Sequence, residues 1–350
     1  MSKKNSNVIL KNGFKNYEEL SHIYSIFRKK LNFFKKKTFL IAVSGGPDSL
    51  ALTALAKSYS YENRSRFFYV LVDHNLRKNS FHEAQLVKKL LKKHKINLNI
   101  LKNTKKIKKN IQSEARKVRY NLLTSFCKKR KINTILTAHN LEDQVETFFI
   151  RLSRGSGLTG LSSMPEIVSY NKNLKIVRPL LGFKKEELKY ITINYFKTYI
   201  KDPSNKNDKF LRVRIRKYRD IMKKEGLDTN KIIKTINNLL SADQAINYYK
   251  NKALHKHVNF ISKNKCLVNK KIFIEEADEV IFKSFSVILS LIAGTYYPPR
   301  SKKVLNLINR LKKNQFSKST LGGCIIEKKE STIIISKESK VNKMPIHAEK

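Results

Sequence analysis

A six-residue segment, SGGPDS at 44–49, is the first place in the sequence where residue types and spacing indicate chemistry. It lies between two apolar runs and uses two of only 11 glycines in 350 residues. Tandem glycines carry no Cβ, so the backbone can turn tightly and bring its N–H groups close to an anion. A helix that begins directly afterwards aims its positive end at the same place. The segment therefore predicts a phosphate-binding turn made of Ser44, Gly45, Gly46, Pro47, Asp48 and Ser49.

Asp48 sets this turn apart from the common nucleotide-binding loops. The pattern has neither the spacing of a Walker A loop nor that of the dinucleotide fingerprint G-x-G-x-x-G. A carboxylate among phosphates repels them unless a divalent cation bridges the two, so Asp48 implies a nucleotide that carries Mg²⁺. The structural alternative is a plain strand–helix turn in which Ser or Asp caps the helix. The complete six-residue pattern favours the nucleotide.

A second segment, HNLEDQVET at 139–147, combines a histidine with a pair of carboxylates. Asp143 and Glu146 are three residues apart at the start of a predicted helix, so they share a face and are candidate Mg²⁺ ligands together with Asp48. His139 precedes the helix and is predicted to orient or stabilise a phosphate. The alternatives are that the carboxylates only offset the helix dipole and that His139 is a turn residue.

Arginine, which is much rarer than lysine in this chain, forms the third set of candidates. Arg116 and Arg119 in EARKVRY share one helical face, which suits contact with phosphate or with an RNA backbone. RLSRGSGLTG at 151–160 is basic and broken by glycine; it predicts an RNA clamp or, equally well, a helix end followed by a turn. RVRIR at 212–216 fits either RNA contact or an edge that shields a domain junction. The candidate RNA-contacting residues are Arg119, Arg151, Arg154, Arg212, Arg214 and Arg216.

The apolar pattern predicts the elements that must position these residues. The predicted strands are 37–43, 66–74, 96–101 and 133–139, and the helices that alternate with them are 50–59, 82–95, 111–131 and 141–154. Continuous apolar strands alternating with amphipathic helices are typical of a parallel sheet covered on both faces, with ligands beyond the carboxyl ends of the strands. This α/β arrangement places SGGPDS and HNLEDQ at one sheet edge, and we predict that Asp73 and His74 line the nucleotide pocket there.

The alternation fades after about residue 200. KDPSNKND at 201–208 predicts a turn-rich loop, and a basic helix is predicted at 210–224, followed by a helical segment at 228–255 and a mixed α+β unit. We therefore predict a boundary near residue 220, between an N-terminal catalytic domain at 1–219 and a smaller C-terminal domain at 220–350.

Charge indicates the class of partner. The chain has 74 Lys and Arg against 27 Asp and Glu, a net charge of +47. Compositional bias accounts for much of this excess, since Lys, Asn and Ile are abundant throughout. The positive field nevertheless attracts polyanions, and nucleic acid is the favoured partner.

Cysteine usage and hydropathy limit the remaining classes. Cys127, Cys266 and Cys324 lie far apart and form no C-x-x-C pair, which disfavours a zinc ribbon, an iron–sulfur cluster or a dithiol redox site. The beginning of the chain lacks the apolar centre of a signal peptide, and the longest uncharged run, at 284–299, is too short to span a bilayer and predicts a buried helix. We expect a soluble, cytoplasmic protein with no membrane partner.

Five ordered blocks carry a resemblance to a known family. SGGPDS after a strand resembles the pyrophosphatase loop of the N-type ATP pyrophosphatases, and the whole set resembles the tRNA(Ile)-lysidine synthetase family. The blocks are VDHNLR (72–77), EARKVRY (114–120), TAHNLEDQVETFFIRLSRGSGLTGLSSM (137–164), RPLL (178–181) and KDPSNKNDKFLRVRIR (201–216). The resemblance runs from about residue 37 to 217, with a looser similarity around TLGGC. Val213 stands where the family usually has Asn, and Glu142 replaces a second acidic residue conservatively.

The resemblance implies a Rossmann-like domain of the adenine nucleotide alpha hydrolase type and a C-terminal tRNA-binding domain. It also implies a ligase that uses ATP and Mg²⁺ to join free L-lysine to C2 of the wobble cytidine in the CAU anticodon of tRNA(Ile). An adenylated cytidine is the intermediate, AMP and pyrophosphate are released, and codon reading changes from AUG to AUA. A homodimer is a further expectation that the sequence leaves open. The implied catalytic residues are Asp48, His139, Asp143 and Arg116.

Three other functions compete with this one. A tRNA thiolase would need paired or cluster-binding cysteines, whereas Cys127 lies in the middle of a predicted helix, as a core residue does. An enzyme that activates a small molecule, like GMP or asparagine synthetases, is disfavoured by the charge and the basic blocks. A non-catalytic RNA-binding module is disfavoured because Asp48, Ser49, His139 and Asp143 are all intact.

Overall fold

The computed structural model describes residues 18–34, 38–77, 79–105, 107, 111–162, 164–171, 173–200, 211–295, 298–313 and 317–338. The chain divides into two compact units, Met1–Asn237 and Asn238–Lys350. This division falls inside a long helix, later in the chain than the predicted boundary between 219 and 220. The loop predicted at 201–208 lies outside the described residues.

The first unit is built on a six-stranded sheet. Its strands are β1 (Thr38–Val43), β2 (Arg66–Asp73), β3 (Leu98–Lys102), β4 (Thr134–Leu136), β5 (Ile167–Asn171) and β6 (Leu174–Val177). They lie in the order β3-β2-β1-β4-β6-β5, and all neighbours are parallel except the β5–β6 hairpin. The predicted parallel α/β sheet is thereby confirmed. The apolar pattern misses β5 and β6: the side chains of β5 alternate between exposed and half-buried, and β6 has only four residues.

Helices cover both faces of this sheet. The helices up to the division between the units are α1 (Glu18–Asn32), α2 (Pro47–Glu62), α3 (Ser80–Lys93), α4 (Ile111–Lys129), α5 (Leu141–Leu152), α6 (Leu158–Leu161), α7 (Lys185–Phe196) and α8 (Leu211–Lys224), and α9 (Thr229–His257) contains the division. Successive residues of β1 point to opposite faces. Phe39 and Ile41 join the core formed with α1, α2 and α7, whereas Leu40 joins Leu123 and Cys127 of α4 in a separate core. The central strand is therefore buried on both sides.

The strand order creates a crevice between β1 and β4. The chain proceeds from β1 outward to β2 and β3, then returns to the other side of β1 as β4. In sheets of this kind ligands bind outside the carboxyl ends of the strands at the point where the order reverses. SGGPDS follows β1 and His139 follows β4, so the topology brings both segments to this crevice.

The second unit contains an antiparallel sheet. Its strands are β7 (Val258–Ser262), β8 (Lys265–Asn269), β9 (Lys318–Leu321), β10 (Cys324–Lys329) and β11 (Thr332–Lys337), in the order β7-β8-β11-β10-β9. The helices are α10 (Ile272–Glu275), α11 (Asp278–Ala293) and α12 (Ser301–Lys312), together with the end of α9. Residues of α11 and α12 pack with the sheet in one core. The apolar run predicted as a buried helix therefore lies in a buried helix from residue 284 to the end of α11 at Ala293. None of the helices among the described residues combines the length and apolar character needed to cross a membrane.

Candidate active site

The SGGPDS turn is shaped around a glycine in the left-handed region. Gly45 has φ +83°, and a Cβ at this position would lie 2.5 Å from Cγ2 of Val87. The Gly45 carbonyl also accepts a hydrogen bond from the backbone N–H of Ile200 at 3.0 Å. Both the backbone conformation and the close approach of α3 therefore require glycine here.

Ser49 fixes the shape of the turn from inside. Its hydroxyl accepts hydrogen bonds from the backbone N–H groups of Ser44 and Gly45, each at 3.1 Å, and donates to the Gly46 carbonyl at 3.0 Å. The hydroxyl of Thr192 in α7 donates to the Pro47 carbonyl at 2.6 Å. The turn is therefore held in one conformation by its own residues and by a neighbouring helix.

Helix α2 begins without a side-chain cap. Gly46 is its N-cap residue and makes no side-chain capping bond, and Pro47 occupies the first turn. The first N–H groups of a helix have no partner within the helix, and the helix dipole adds positive potential there. The start of α2 can therefore receive an anion such as a phosphate.

Asp48 lies in this first turn with a carboxylate oxygen that is buried and unpartnered. Its Oδ1 has no hydrogen-bond partner among the described residues. Burial raises the pKa of Asp48 to about 6; Lys185 opposes the shift, and the charge of Asp143 adds to it. A buried carboxylate oxygen without a donor favours a cation as its partner.

The start of α5 is closed by a reciprocal pair of capping hydrogen bonds. The Asn140 side chain accepts from the Asp143 backbone N–H at 2.9 Å, and Asp143 Oδ2 accepts from the Asn140 N–H at 3.2 Å, which completes a capping box. Next to it, Glu142 Oε2 accepts from the Lys185 backbone N–H at 2.9 Å. Asp143 Oδ2 thus serves the helix start, as a purely structural carboxylate would, whereas Oδ1 takes no part in the capping box.

Glu146 and Arg216 form an ion pair between α5 and α8. Arg216 Nε lies 2.5 Å from Glu146 Oε1, and its Nη2 lies 3.3 Å from Oε2. Glu146 is only 2% exposed. Because both carboxylate oxygens accept from the guanidinium, the pair ties α8 to the helix that carries Asp143. The assignments of Glu146 to a metal and of Arg216 to RNA stay predictions.

His139 has a neutral imidazole among positive charges. Burial lowers its pKa to about 3, and Arg178, Arg116, Arg212 and Arg119 lower it further. Its Nδ1 lies 3.0 Å from the hydroxyl oxygen of Thr137. Three of these arginines are predicted site residues, so the fold brings Arg116, Arg119 and Arg212 into the electrostatic surroundings of His139.

Arg178 is a site residue that the sequence reasoning missed. It follows β6 directly, at the same edge as the other candidates, and is 6% exposed. Its Nη1 donates to the Pro165 carbonyl at 2.7 Å. Its place in the RPLL block, where an arginine follows a strand, is the sequence signal that could have identified it.

Asp73 and His74 lie at the end of β2. Asp73 is 3% exposed, its Oδ1 accepts from the Asn75 N–H at 2.9 Å, and its Oδ2 has no hydrogen-bond partner among the described residues. The Arg119 Nε donates to His74 Nε2 at 3.3 Å. Burial, followed by the charge of Arg119, lowers the pKa of His74 to about 4. Arg119 therefore contacts one of the residues predicted to line the nucleotide pocket.

The glycine-broken segment after α5 is held by side chains of the site. Arg151 Nη1 donates to the Gly160 carbonyl at 2.6 Å, and the Gln144 amide pairs with both the N–H and the carbonyl of Met164, at 2.9 and 3.1 Å. Arg154 is exposed on this segment, as is Arg214 on α8. The segment is thus a helix end and a fixed turn that presents Arg154. Gln144 was also missed, because its role depends on a residue 20 positions away.

Comparisons with known proteins agree with this geometry. The family model described as PP-loop domain matches residues 18–225. The tRNA(Ile)-lysidine synthase of Orientia tsutsugamushi (strain Boryong) is 32% identical over 317 residues, covering 87% of this chain and 71% of that protein. The enzyme of the same name from Wolbachia pipientis wMel is 33% identical over 311 residues, covering 87% and 72%.

The fold also occurs among solved structures. One of them is the U34-tRNA thiolase NcsA from Methanococcus maripaludis with its [4Fe-4S] cluster, with a TM-score of 0.53 and 18% identity, covering 64% of this chain and 80% of that chain. The three cysteines of the present chain are free and buried, and burial raises the pKa of Cys127 to about 12. A buried thiol with a raised pKa is a poor nucleophile and a poor metal ligand.

Proposed function

The chain belongs to the tRNA(Ile)-lysidine synthase family, and we propose that it ligates free L-lysine to C2 of the wobble cytidine in the CAU anticodon of tRNA(Ile) at the expense of ATP. The observation that carries this proposal is the uncapped start of α2 beside an unpartnered Asp48 oxygen, an arrangement suited to a metal-bound nucleotide. The products would be AMP and pyrophosphate, which makes the enzyme a ligase that forms a carbon–nitrogen bond. We expect it to act in the cytoplasm.

In the first step the C2 carbonyl oxygen of the cytidine attacks the α-phosphorus of ATP. A new P–O bond forms, the bond to the β-phosphate oxygen breaks, and pyrophosphate leaves with the bonding electrons. The N–H groups at the start of α2 are proposed to stabilise the phosphate oxygens, as preorganised donors that need no rearrangement. Arg116 and Arg212 are proposed to neutralise further charge on the phosphates. The cytidine lies in a single-stranded loop, where it can be turned out at low cost.

The residues present fit a magnesium ion. Mg²⁺ typically uses one or two protein carboxylates together with substrate phosphates and water. Asp48 Oδ1 and the oxygen of Asp143 outside the capping box are the proposed ligands. No group of three metal-ligating side chains occurs in the described part of the chain. Bound there, Mg²⁺ would withdraw charge from the phosphate oxygens.

His139 is proposed to act as a neutral hydrogen-bonding group. With its pKa lowered to about 3, the imidazole carries no charge at neutral pH and is unsuited to act as a general acid. One ring nitrogen contacts Thr137, which leaves the other for a phosphate or base atom. The positive charge at the site would then come from the arginines around it.

In the second step the ε-amine of lysine attacks C2 of the adenylated cytidine. The C–N bond forms, the C2–O bond breaks, and AMP leaves with the electron pair of that bond. The attacking amine must be neutral and loses a proton as the bond forms. Asp48 and Asp143 are the candidate acceptors of that proton.

A ligation assay tests the proposal. The protein is incubated with labelled lysine, ATP, Mg²⁺ and tRNA(Ile) bearing CAU, and label in the RNA is counted together with released pyrophosphate. We expect ATP-dependent labelling that is lost in Asp48→Asn and absent with a UAU anticodon. Equal labelling of both anticodons would refute the assignment, and tRNA binding without pyrophosphate release would indicate an RNA-binding module. The expected homodimer is tested separately by measuring the molar mass of the protein with light scattering after size-exclusion chromatography.

A further inference from the structure

A basic cavity lies at the edge of the first sheet opposite the active site. Its volume is about 420 Å³, and it is lined by Thr38, Arg66, Phe68, Lys129, Arg130 and Lys131. Thr38 and Arg66 are the first residues of β1 and β2, whereas the SGGPDS turn follows the last residue of β1. At about 3.3 Å per residue, the six residues of β1 separate the two sites by roughly 20 Å. A ligand in this cavity does not share the ATP site.

Two guanidinium groups converge on one aromatic ring in this cavity. The Cζ atoms of Arg66 and Arg130 lie 4.8 and 5.8 Å from the centroid of Phe68, and Phe126 packs edge-on against the same ring at 6.0 Å. Four of the six lining residues are cationic and none is acidic. Neither arginine forms an ion pair or hydrogen bond with a carboxylate of the described residues. Because both guanidinium groups lie against one ring, their positive potentials add at the cavity, which favours binding of an anion.

The end of helix α4 explains only part of this cluster. Cations are favoured at a helix carboxyl end, which accounts for Lys129 and for Lys131, whose φ of +54° directs the chain out of the helix. Arg66 belongs to a strand, and its position over Phe68 owes nothing to the α4 dipole. The convergence of groups from two elements on one ring is therefore a separate feature.

We propose that this cavity binds phosphate groups of the RNA backbone and so forms a second tRNA contact, away from the anticodon. The inference rests on the proposed function for the identity of the RNA. Arginine held against an aromatic ring keeps its N–H edges for bidentate contact with phosphate. Because the guanidinium groups already occupy the Phe68 ring, base stacking there is disfavoured. The contact is therefore to phosphates and independent of sequence.

Removal of the two guanidinium charges tests this. The variant Arg66→Gln/Arg130→Gln is compared with Arg64→Gln/Lys128→Gln, which removes the same charge from exposed neighbours that do not line the cavity. The dissociation constant of unmodified tRNA is measured against salt concentration. The cavity variant should weaken binding roughly tenfold at physiological salt and reduce the salt slope by about 1 to 2, since each lost phosphate contact contributes about 0.9. The control should change both by much less, and ATP affinity should not change.

Two further measurements separate charge from packing and RNA from free phosphate. Arg66→Lys/Arg130→Lys should keep most of the salt slope, so an equal loss in the lysine and glutamine variants would mean that packing is responsible and would overturn the proposal. Wild-type-like tRNA binding by a folded glutamine variant also overturns it. So does arginine-dependent binding of inorganic phosphate with unchanged tRNA affinity. If the wild type incorporates no lysine but the glutamine variant still loses tRNA affinity, the proposed function fails and this inference stands.

Discussion

Two helices, α2 and α5, start at the same crevice, and they differ in whether side chains cap their first turns. Helix α5 begins with a capping box, in which Asn140 and Asp143 bond each other's backbone N–H groups. Helix α2 begins with Gly46, which makes no side-chain capping bond. Both helices carry an aspartate in the first turn, at Asp48 and Asp143. A helix start that is satisfied internally is part of the scaffold, whereas an open one is available to a ligand.

The comparison separates two aspartates that look alike in the sequence. Asp143 offers one oxygen to the backbone, while Asp48 buries an oxygen that no described residue bonds. The charge of Asp143 also contributes to the raised pKa of Asp48, so the capped helix influences the open one. The scaffold and the ligand site are therefore electrostatically connected.

Gly45→Ala should have the largest effect on this comparison, because it disturbs the turn that leads into the open start of α2, and none of the atoms nearest to the new Cβ belongs to α5. The new Cβ would lie 2.5 Å from Val87 and force a side chain into φ +83°. We expect a loss of about 1 to 3 kcal/mol in the free energy of unfolding and at least a hundredfold lower activity, since small displacements of a catalytic turn have effects of that size. Gly182→Ala, at an exposed glycine with open space, is the matched control. Normal ATP binding by Gly45→Ala would contradict the proposed turn.

Asp143→Asn separates the helix-capping role of Asp143 from its proposed role as a metal ligand. Its amide oxygen can still accept from the Asn140 N–H, so the helix start is kept while the charge is lost. We expect activity to fall about a hundredfold at nearly unchanged stability if Asp143 serves the proposed metal. Asp143→Ala should lose the same activity and in addition about 1 kcal/mol of stability. Full activity in Asp143→Asn would show that the residue acts only as a cap.

The sequence predicts the sheet and the crevice better than it predicts the use of each residue there. Apolar runs and glycine placement identify β1, α2 and the turn between them, because these signals are local. Whether Asp143 caps a helix or binds a metal is a matter of hydrogen-bond geometry that its spacing from Glu146 does not encode. The Glu146–Arg216 ion pair joins residues that are 70 positions apart, so no local sequence pattern predicts it. The role of a site residue thus depends on partners that are distant in the sequence.

Asp48→Asn should reveal the cost of the buried charge at the open start. Without metal or ATP, the wild-type carboxyl has a pKa near 6 in the folded state against 3.8 in the unfolded chain. The folded state binds this proton more tightly, so wild-type stability falls as the pH rises from about 4 to about 6 and stays reduced above that. The variant lacks this penalty and should be more stable by up to about 3 kcal/mol near pH 8, with the difference closing near pH 4.

Urea unfolding with a chelator present, repeated across this pH range, measures the difference between the two proteins. Asp278→Asn, which removes an exposed carboxylate from the first turn of α11 in the second unit, serves as the control. A difference between wild type and Asp48→Asn that stays constant from pH 4 to pH 8 would contradict the raised pKa.

Gly46→Ser should have the smallest effect, and it makes the two helix starts alike by adding a cap to α2. Gly46 has φ −74° and ψ 166°, and a Cβ there meets nothing closer than 3.7 Å, so serine fits. Serine at this position should stabilise the fold by a few tenths of a kcal/mol, while its hydroxyl competes with phosphate for the same N–H groups and lowers ATP affinity about tenfold. Calorimetry for ATP and thermal unfolding measure the two effects. Ala277→Ser caps α11 of the second unit in the same way and should stabilise without changing ATP affinity. If Gly46→Ser gains stability and keeps full ATP affinity, the open N–H groups of α2 are not the phosphate donors, and the contrast between the two helix starts loses its functional meaning.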